Sequence, residues 1–219
     1  MTTDAQEHWG RVYAEKDPLK VSWYQPAPER SLAIIRREFE RTSGRGPGEG
    51  SRRVIDVGAG ASTLVDHLLS MGVEVGALDV ASRALEHSKA RLGVRAAEVR
   101  WIVADLTAPL EAPEPNWADL WHDRAVFHFL SGHNHREAYA RNLARTLRPG
   151  GSAVISGFAP EGPLKCSGLE VCRHDAESIR RELTRAGFPC VLVEEQRETH
   201  VTPWGSEQAF TYALLRRAE

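Results

Sequence analysis

The sequence lacks the features of a disulfide-rich, membrane-spanning or strongly charged protein. Only 3 of its 219 residues are cysteines, and an odd count with no Cys-x-x-Cys pair argues against a disulfide framework. No apolar run approaches the ~20 residues that a helix needs to cross a bilayer. The formal net charge is only −2, so neither nucleic acid nor an anionic membrane is expected as a partner.

A targeting signal is also missing from the first residues of the chain. They are polar and do not show the basic segment followed by an apolar segment that marks a secretory signal. We therefore expect a soluble protein of a reducing compartment, with a cytoplasmic location. With 42% hydrophobic residues, the chain is long enough to bury one sizeable core.

The most informative motif is an acid and two glycines that follow an apolar run. Asp56 lies inside the apolar run Val54–Val57, and Gly58 and Gly60 follow that run to complete an Asp-x-Gly-x-Gly motif. A second apolar run, Val73–Val80, contains Asp79 near its end. A strand, a glycine turn, a helix and a second strand with a terminal acid form half of a nucleotide-binding α/β unit. The glycines let backbone amides approach a ligand, and Asp79 is placed to accept both hydroxyls of a ribose.

Two cofactor classes compete for this motif. A nicotinamide fingerprint requires a third glycine or an alanine at the sixth position, where this chain has Thr63. The acid at Asp56 instead suits a cofactor that has no phosphates and carries a free amino acid end, because a carboxylate attracts an ammonium group. This combination favours S-adenosylmethionine over a nicotinamide cofactor.

Further strands and helices follow in alternation. The run Val99–Val103 predicts a third strand, after which Asp105 is placed to accept from an adenine amino group, with Leu106 beside the ring. A fourth strand is expected over 119–124, a helix over 135–147, a stop at the Arg-Pro-Gly-Gly segment 148–151 and a fifth strand over 152–158. Alternating strands and helices predict a parallel sheet.

The carboxyl-terminal third completes the predicted sheet. A loop is expected over 159–174, and a helix begins after Asp175 and continues to Ala186. Two last strands, 190–198 and 208–217, are joined by a segment too short for a crossover helix, so they should form an antiparallel hairpin.

The order of these elements resembles the class I S-adenosylmethionine-dependent methyltransferases. The resemblance covers roughly 54–217 and rests on the Asp-x-Gly-x-Gly motif, Asp79, the Ala-Asp105-Leu segment and the Leu-Arg-Pro-Gly-Gly segment. It implies an α/β, doubly wound, seven-stranded sheet with an antiparallel last strand. The donor-binding residues that we predict are Trp23, Tyr24, Asp56, Gly58, Gly60, Asp79, Val80, Asp105, Leu106 and His122.

The segment before the first strand is dense in aromatic residues. We predict a cap over 1–43 that precedes a methyltransferase domain over 52–219, with a helix at 31–41 and a mobile glycine-rich linker at 43–51. Trp23 and Tyr24 are expected to cover the donor, since aromatic faces attract a sulfonium cation. Packing of these rings onto the core as a hydrophobic staple is the alternative.

The residues after the fourth strand should face the methyl acceptor, because ligands bind at the carboxyl ends of parallel strands. We therefore predict a catalytic group of His122, Asp123 and Arg124. The stretch from Trp121 to Arg124 is similar to small-molecule thiol, thiopurine and tellurite methyltransferases. Two other interpretations remain open: a His122 that bonds to the backbone at the end of the strand, and a structural ion pair of Asp123 and Arg124.

The acceptor is the least determined part of the prediction. We favour a small molecule that offers a thiol or another soft atom, with a protein lysine as the second choice and a non-catalytic donor-binding module as the third. No metal is expected, because the spacings of His122, His128, His133 and His135 do not match zinc sites. Cys166 and Cys172 would suit a soft element, but we favour the alternative that both are plain loop residues.

Overall fold

A computed structural model describes residues 2–42 and 51–218. The predicted linker at 43–51 lies almost entirely outside the described residues. Within them, no helix is both long and apolar enough to traverse a membrane.

The chain forms one α/β domain of six helices and nine strands within the described residues. The helices are α1 (Thr2–Glu15), α2 (Glu29–Arg41), α3 (Leu64–Ser70), α4 (Ser82–Leu92), α5 (His133–Thr146) and α6 (Ala176–Arg185). The strands are β1 (Arg53–Val57), β2 (Glu74–Asp79), β3 (Val99–Val103), β4 (Ala118–Arg124), β5 (Leu147–Phe158), β6 (Lys165–Cys166), β7 (Leu169–Glu170), β8 (Cys190–Val201) and β9 (Glu207–Arg217). Short 3₁₀ turns cover 18–20, 93–98 and 127–129.

Seven of the strands form the central sheet in the order β3-β2-β1-β4-β5-β9-β8. The first five pair in parallel, and β9 is inserted antiparallel between β5 and β8. The predicted doubly wound sheet with an antiparallel last strand is therefore confirmed. Chain order reverses at β1, whose neighbours are β2 on one side and β4 on the other, and this reversal leaves a crevice at the carboxyl ends of the strands.

The core lies on both faces of this sheet. Ile55 and Val57 of β1 belong to the cluster that includes α5 and α6, whereas Val54 belongs to the cluster that includes α2 and α3. Successive side chains of a strand point to opposite faces, so a strand covered on both sides must be apolar on both. Burial on both faces therefore explains why the strands appear in the sequence as near-continuous apolar runs.

Four features differ from the sequence-based expectations. Helix α1 had not been predicted, and β5 begins at Leu147, so that the Pro149–Gly151 segment lies inside a strand instead of ending a helix. The β4–β5 register shifts between Ala118 and Leu120, and this irregularity accommodates the proline and glycines. The predicted loop 159–174 contains the small hairpin β6–β7, and β8 extends to Val201, beyond the expected end.

Helix α2 is held on the sheet by polar side chains as well as by its apolar face. Arg37 donates to Glu194 at 2.7 Å and Arg30 donates to Gln196 at 2.8 Å. Gln25, just before the helix, donates to Glu198 at 3.2 Å. The three acceptors are alternate residues of β8 and therefore share one face of that strand. This ladder of contacts fixes the position of the segment that leads to the site.

Candidate active site

The glycine turn after β1 lets the backbone lie close to neighbouring side chains. Gly58 and Gly60 have φ values of +64° and +50°, which L side chains rarely adopt. A Cβ atom at Gly58 would lie 2.1 Å from the Val126 side chain, and one at Gly60 would lie 2.3 Å from the hydroxyl of Tyr13. Both positions therefore require glycine, for steric reasons as well as for backbone conformation.

Asp79 stabilises this turn from the end of the neighbouring strand. Its Oδ2 accepts from the backbone N–H of Gly60 at 2.9 Å, and its Oδ1 accepts from that of Ala81 at 2.8 Å. Burial raises the pKa of its carboxyl to about 6, against the lowering effect of these two hydrogen bonds. The carboxyl thus holds the glycine turn and also lies in the wall of a cavity.

A cavity of about 520 Å³ opens beside Asp79 at the carboxyl ends of the strands. This size is within the range of small-molecule sites. The predicted residues Gly58, Asp79, Val80, Asp105 and Leu106 line one part of it, and Arg124 lies in its wall as well. The Oδ1 atom of Asp105 accepts from the amide and the hydroxyl of Thr107 at 2.8 and 2.7 Å. The structure therefore brings these five predicted residues together at one cavity, and their role in donor binding stays a prediction.

Aromatic side chains of the amino-terminal segment cover the cavity. Trp9 packs edge-on against Trp23 and Phe129, with ring centroids 5.8 and 5.3 Å apart, and Tyr13 packs against Trp23 at 6.2 Å. Trp23 lines this cavity, whereas Tyr24 lines a second, smaller cavity next to it. The rings pack on one another and on the site, so the cap and staple interpretations describe the same contacts.

The smaller cavity, of about 60 Å³, contains Asp56 and His122 in its wall. The two residues are register neighbours on β1 and β4. His122 Nδ1 lies 2.7 Å from Asp56 Oδ1, and its Nε2 lies 2.9 Å from the hydroxyl of Ser31 at the start of α2. Both ring nitrogens are thus engaged, which corrects the expectation that His122 is a base on the acceptor side.

Asp123 is turned away from both cavities. It accepts from the backbone N–H groups of Val126 and Phe127 at 2.8 and 3.1 Å, and from the hydroxyl of Tyr139 at 2.7 Å. It is fully buried, and burial raises its pKa to about 6. Since consecutive residues of a strand face opposite sides, Asp123 neither pairs with Arg124 nor reaches an acceptor. The predicted catalytic role for Asp123 is corrected to a structural one.

Arg124 lies in the wall of both cavities. Its Nε donates to the hydroxyl of Tyr212 at 3.1 Å, its Nη1 donates to the carbonyl of Trp23 at 3.1 Å, and its guanidinium lies 4.5 Å from the centre of the Phe210 ring. Its buried Nη2 has no hydrogen-bond partner among the described residues. Arg124 is therefore the only member of the predicted catalytic group that faces the larger cavity.

The cysteines do not form a soft-metal pair. Cys166 is buried and lines the larger cavity, and burial raises the pKa of its thiol to about 11. Cys172 instead accepts from Arg136 Nη2 at 3.3 Å, outside both cavities. Residues 2–42 and 51–218 contain no cluster of three or more histidine, cysteine or acidic side chains suited to hold a metal ion.

Three site residues had not been assigned from the sequence. Tyr13 lies over Gly60, Ser31 bonds to His122, and His8 lines the larger cavity with a buried Nε2 that lacks a partner in the described structure. All three belong to the amino-terminal helices. No motif marks them, since their positions depend on how α1 and α2 dock on the sheet.

Comparison with known proteins agrees with this geometry. Residues 55–153 match the family model described as a methyltransferase domain, and those residues contain every predicted donor-binding side chain except Trp23 and Tyr24. These residues therefore match a methyltransferase domain, and the chain has the fold of the class I, S-adenosylmethionine-dependent methyltransferases. The prediction of an enzyme that uses this donor is confirmed; the likeness to thiol-type enzymes stays a prediction. A search of curated proteins found no significant match.

Solved structures share the fold at low sequence identity. The N-methyltransferase NodS from Bradyrhizobium japonicum, in complex with S-adenosyl-L-homocysteine, is 17% identical with a TM-score of 0.70, covering 99% of this chain and 100% of its own. The 1,6-didemethyltoxoflavin-N1-methyltransferase from Burkholderia thailandensis is 20% identical with a TM-score of 0.60, covering 91% and 94%. A structure reported for conversion of a disulfide bond into a thioacetal group in echinomycin biosynthesis is 20% identical with a TM-score of 0.73, covering 97% and 92%.

Replacing Asp123 by Ala should lower the stability of the fold. Two backbone amides and the Tyr139 hydroxyl would lose their acceptor, and hydrogen bonds to charged groups contribute about 1.5–3 kcal/mol each. We expect a loss of several kcal/mol in denaturant unfolding. The exposed Glu40, changed to Ala, is the control. Unaltered stability of the Asp123→Ala protein would contradict the structural role.

Proposed function

We propose that the chain transfers a methyl group from S-adenosylmethionine to a small molecule bound in the larger cavity. The observation that carries this proposal is that one cavity of about 520 Å³ contains the strand-end carboxylates Asp79 and Asp105 together with an aromatic wall. The carboxylates suit the adenosine part of the donor, and the remaining space beside the aromatic wall suits a small acceptor. Sites of this kind combine apolar walls with a few placed polar groups.

Residues of the larger cavity account for the adenosine and the charged sulfur of the donor. Asp79 accepts the ribose hydroxyls, and Asp105, whose Oδ1 is held by Thr107, offers Oδ2 to the adenine amino group. Val80 and Leu106 form the walls around the adenosine. When bound, the donor supplies a methyl group on a positively charged sulfur. Trp23 lines both cavities, and an aromatic ring there suits that positive charge.

His8 is the residue best placed to take a proton from the acceptor. It lines the larger cavity, and its buried Nε2 has no partner in the described residues. Burial, followed by the charges of Arg11 and Lys16, lowers its pKa, which favours the neutral ring. A neutral imidazole can accept a proton as the new bond to the methyl carbon forms. His8 thus takes the place first given to His122.

A thiol or another soft atom is the acceptor that we propose first. A thiol has a pKa of about 8.5, so a single neutral imidazole is sufficient assistance, whereas an alcohol would need a stronger base. One structural neighbour was reported for sulfur chemistry, the conversion of a disulfide bond into a thioacetal group. Two others are N-methyltransferases, and for this reason nitrogen acceptors belong in the test.

An amine, including a protein lysine, is the second candidate. Asp4 and Glu170 line the larger cavity and are exposed, and Trp9 lies beside them in the same wall. Carboxylates with an aromatic face attract an ammonium group. Residues of helix α1 form part of the wall of this cavity, which favours a free small amine over a folded protein substrate.

The experiment that tests the function follows release of S-adenosylhomocysteine from S-adenosylmethionine with the purified protein. Thiols, chalcogen oxyanions, small amines, lysine peptides and a protein extract are supplied separately. We expect turnover with a small thiol or related soft acceptor. Release with peptides alone would replace the small-molecule acceptor by lysine. Donor binding without release in any of these samples would indicate a non-catalytic binding module.

Changing Asp79 to Asn should weaken donor binding. The amide keeps the size of the side chain but removes a charged acceptor worth about 1.5–3 kcal/mol per hydrogen bond, so a loss of about tenfold or more is expected. In the unchanged protein, affinity should also fall as the pH drops below about 6, where the carboxyl becomes protonated. Titration calorimetry with S-adenosylmethionine measures both effects. The exposed Glu86 of α4, changed to Gln, is the control.

His8→Gln should lower kcat at saturating donor and leave donor affinity unchanged. Because the pKa of His8 is lowered from its usual 6.5, the neutral form persists to more acidic pH, and the acid limb of kcat should lie below pH 6.5 in the unchanged protein. That limb should disappear in the variant. The exposed His133, changed to Gln, is the matched control. An acid limb that survives in His8→Gln would exclude His8 as the proton acceptor.

A further inference from the structure

One side of helix α1 forms a wall of the larger cavity along most of the length of the helix. The residues of this wall are Asp4, Ala5, His8, Trp9 and Tyr13, and their spacing places them on one side of a helix. Asp4 and Tyr13 are nine positions apart, which corresponds to about 13 Å along the helix axis. The wall therefore has two distant ends, and the chemistry of the two ends differs.

The inner end of the wall lies beside the glycine turn. The hydroxyl of Tyr13 lies where a Cβ atom at Gly60 would be 2.3 Å away. The rings of Tyr13 and Trp9 both pack against Trp23, at 6.2 and 5.8 Å. Trp23 is the ring that we place beside the charged sulfur of the donor. The methyl group is therefore transferred at this inner end, next to Trp9.

The outer end of the wall carries a negative charge. Asp4 is exposed in the first turn of α1, and no ion pair of Asp4 is found within the described part of the chain. Glu170 of β7 also lines the cavity, but Lys165 lies 2.8 Å from it and offsets its charge. Arg124 lies far from Asp4, since it donates to the Trp23 carbonyl at the inner end. A ligand at the mouth of the cavity therefore meets the carboxylate of Asp4.

A cation bound at Asp4 is too far from the donor to receive the methyl group itself. Reacting atoms must approach to about 3–3.5 Å, whereas about 13 Å of helix separates Asp4 from Tyr13. His8, which has a buried and unpartnered Nε2 in the described residues, lies between them, about 6 Å along the axis from Asp4. The wall thus offers a proton acceptor and a carboxylate that a short carbon chain can connect.

We propose that the acceptor is an aminothiol, whose sulfur lies at His8 and Trp9 and whose ammonium group binds Asp4. This inference rests on the function proposed above and names the class of its substrate. The bond between the acceptor sulfur and the methyl carbon forms as the methyl–sulfonium bond of the donor breaks. The thiol proton passes to Nε2 of His8, and the electron pair of the broken bond stays on the donor sulfur. Asp4 does not touch the reacting atoms and determines specificity by binding the ammonium group.

The test compares three thiols that share an HS–CH₂–CH₂ unit and differ in the charge at the other end. Cysteamine carries an ammonium group, mercaptoethanol a neutral hydroxyl and mercaptopropionate a carboxylate. Release of S-adenosylhomocysteine gives kcat and KM for the unchanged protein, for Asp4→Asn and for Glu7→Gln. Glu7 is exposed on the same helix and lines neither cavity, so it is the matched control. Each thiol is compared with itself across the proteins, so differences in intrinsic reactivity cancel.

We expect Asp4→Asn to raise KM for cysteamine about threefold to fivefold, the size of effect typical of an exposed ion pair. kcat for cysteamine should stay the same, because the lost contact is remote from the reacting atoms. KM should not change for mercaptoethanol and should fall for mercaptopropionate, whose carboxylate Asp4 repels. Mass spectrometry of the cysteamine product should find the methyl group on sulfur.

Salt provides a measurement that needs no variant. Raising the ionic strength from about 0.1 M to about 1 M shortens the screening length from about 10 Å to about 3 Å. In the unchanged protein, KM should therefore rise for cysteamine, fall for mercaptopropionate and stay constant for mercaptoethanol. This comparison decides the matter even if Asp4→Asn fails to fold, which its melting temperature would show.

Three results would overturn the aminothiol. In the first, Asp4→Asn changes KM equally for all three thiols, or Glu7→Gln gives the same pattern. In the second, salt affects the three thiols alike. In the third, the methyl group is found on the nitrogen of cysteamine. Failure of the proposed function is a different result, in which the unchanged protein releases no S-adenosylhomocysteine with any thiol, and the aminothiol then fails with it.

Discussion

The site depends on the need to satisfy buried carboxylates at the ends of adjacent parallel strands. Asp79 and Asp123 meet this need inside the protein, the first with backbone amides of the glycine turn and its own loop, the second with two amides and Tyr139. Asp56 meets it only in part, through His122. A buried carboxylate oxygen without a hydrogen-bond donor is costly, so a ligand that donates to Asp56 removes this cost. Asp79 and Asp123, whose oxygens already accept hydrogen bonds, keep the surroundings of Asp56 rigid.

Much of the fold could be predicted from the sequence, since the signals are local. The apolar runs locate β1 to β4 within one or two residues, and Asp175 does cap α6, accepting from Ser178 N–H at 2.7 Å. The segment Arg148–Gly151 was misinterpreted because proline and glycine usually end a helix, whereas here they lie at the edge of an irregular strand pairing. Helix α1 has a weak apolar pattern of its own and depends on contacts with α4 and with the glycine turn, which no local pattern shows.

The site could be predicted where residues belong to the strand ends and not where they come from packing. Asp79, Asp105 and Leu106 follow directly from the strand pattern, and they lie together in the larger cavity. The sequence pattern predicts one catalytic group of His122, Asp123 and Arg124, although strand alternation requires Asp123 to face away from its two neighbours. His8 and Tyr13 precede the glycine turn by more than forty positions, and Ser31 is nearer to it in sequence. All three reach the site because helices α1 and α2 dock there. Sequence spacing carries no information about such contacts.

The ladder of contacts between the amino-terminal segment and β8 also has a consequence for the order in which the protein folds during synthesis. Gln25 and Glu198 are 173 positions apart, Arg37 and Glu194 are 157 apart, and His200 bonds to the Ser22 carbonyl across 178 positions. Contacts between distant parts of a chain form late, since a long loop must close first. During synthesis, the segment around Trp23 has no β8 to bind until residues 194–200 have left the ribosome. The parts of the chain that are made first are therefore the last to reach their place, and the enclosed site exists only once β8 has joined the sheet.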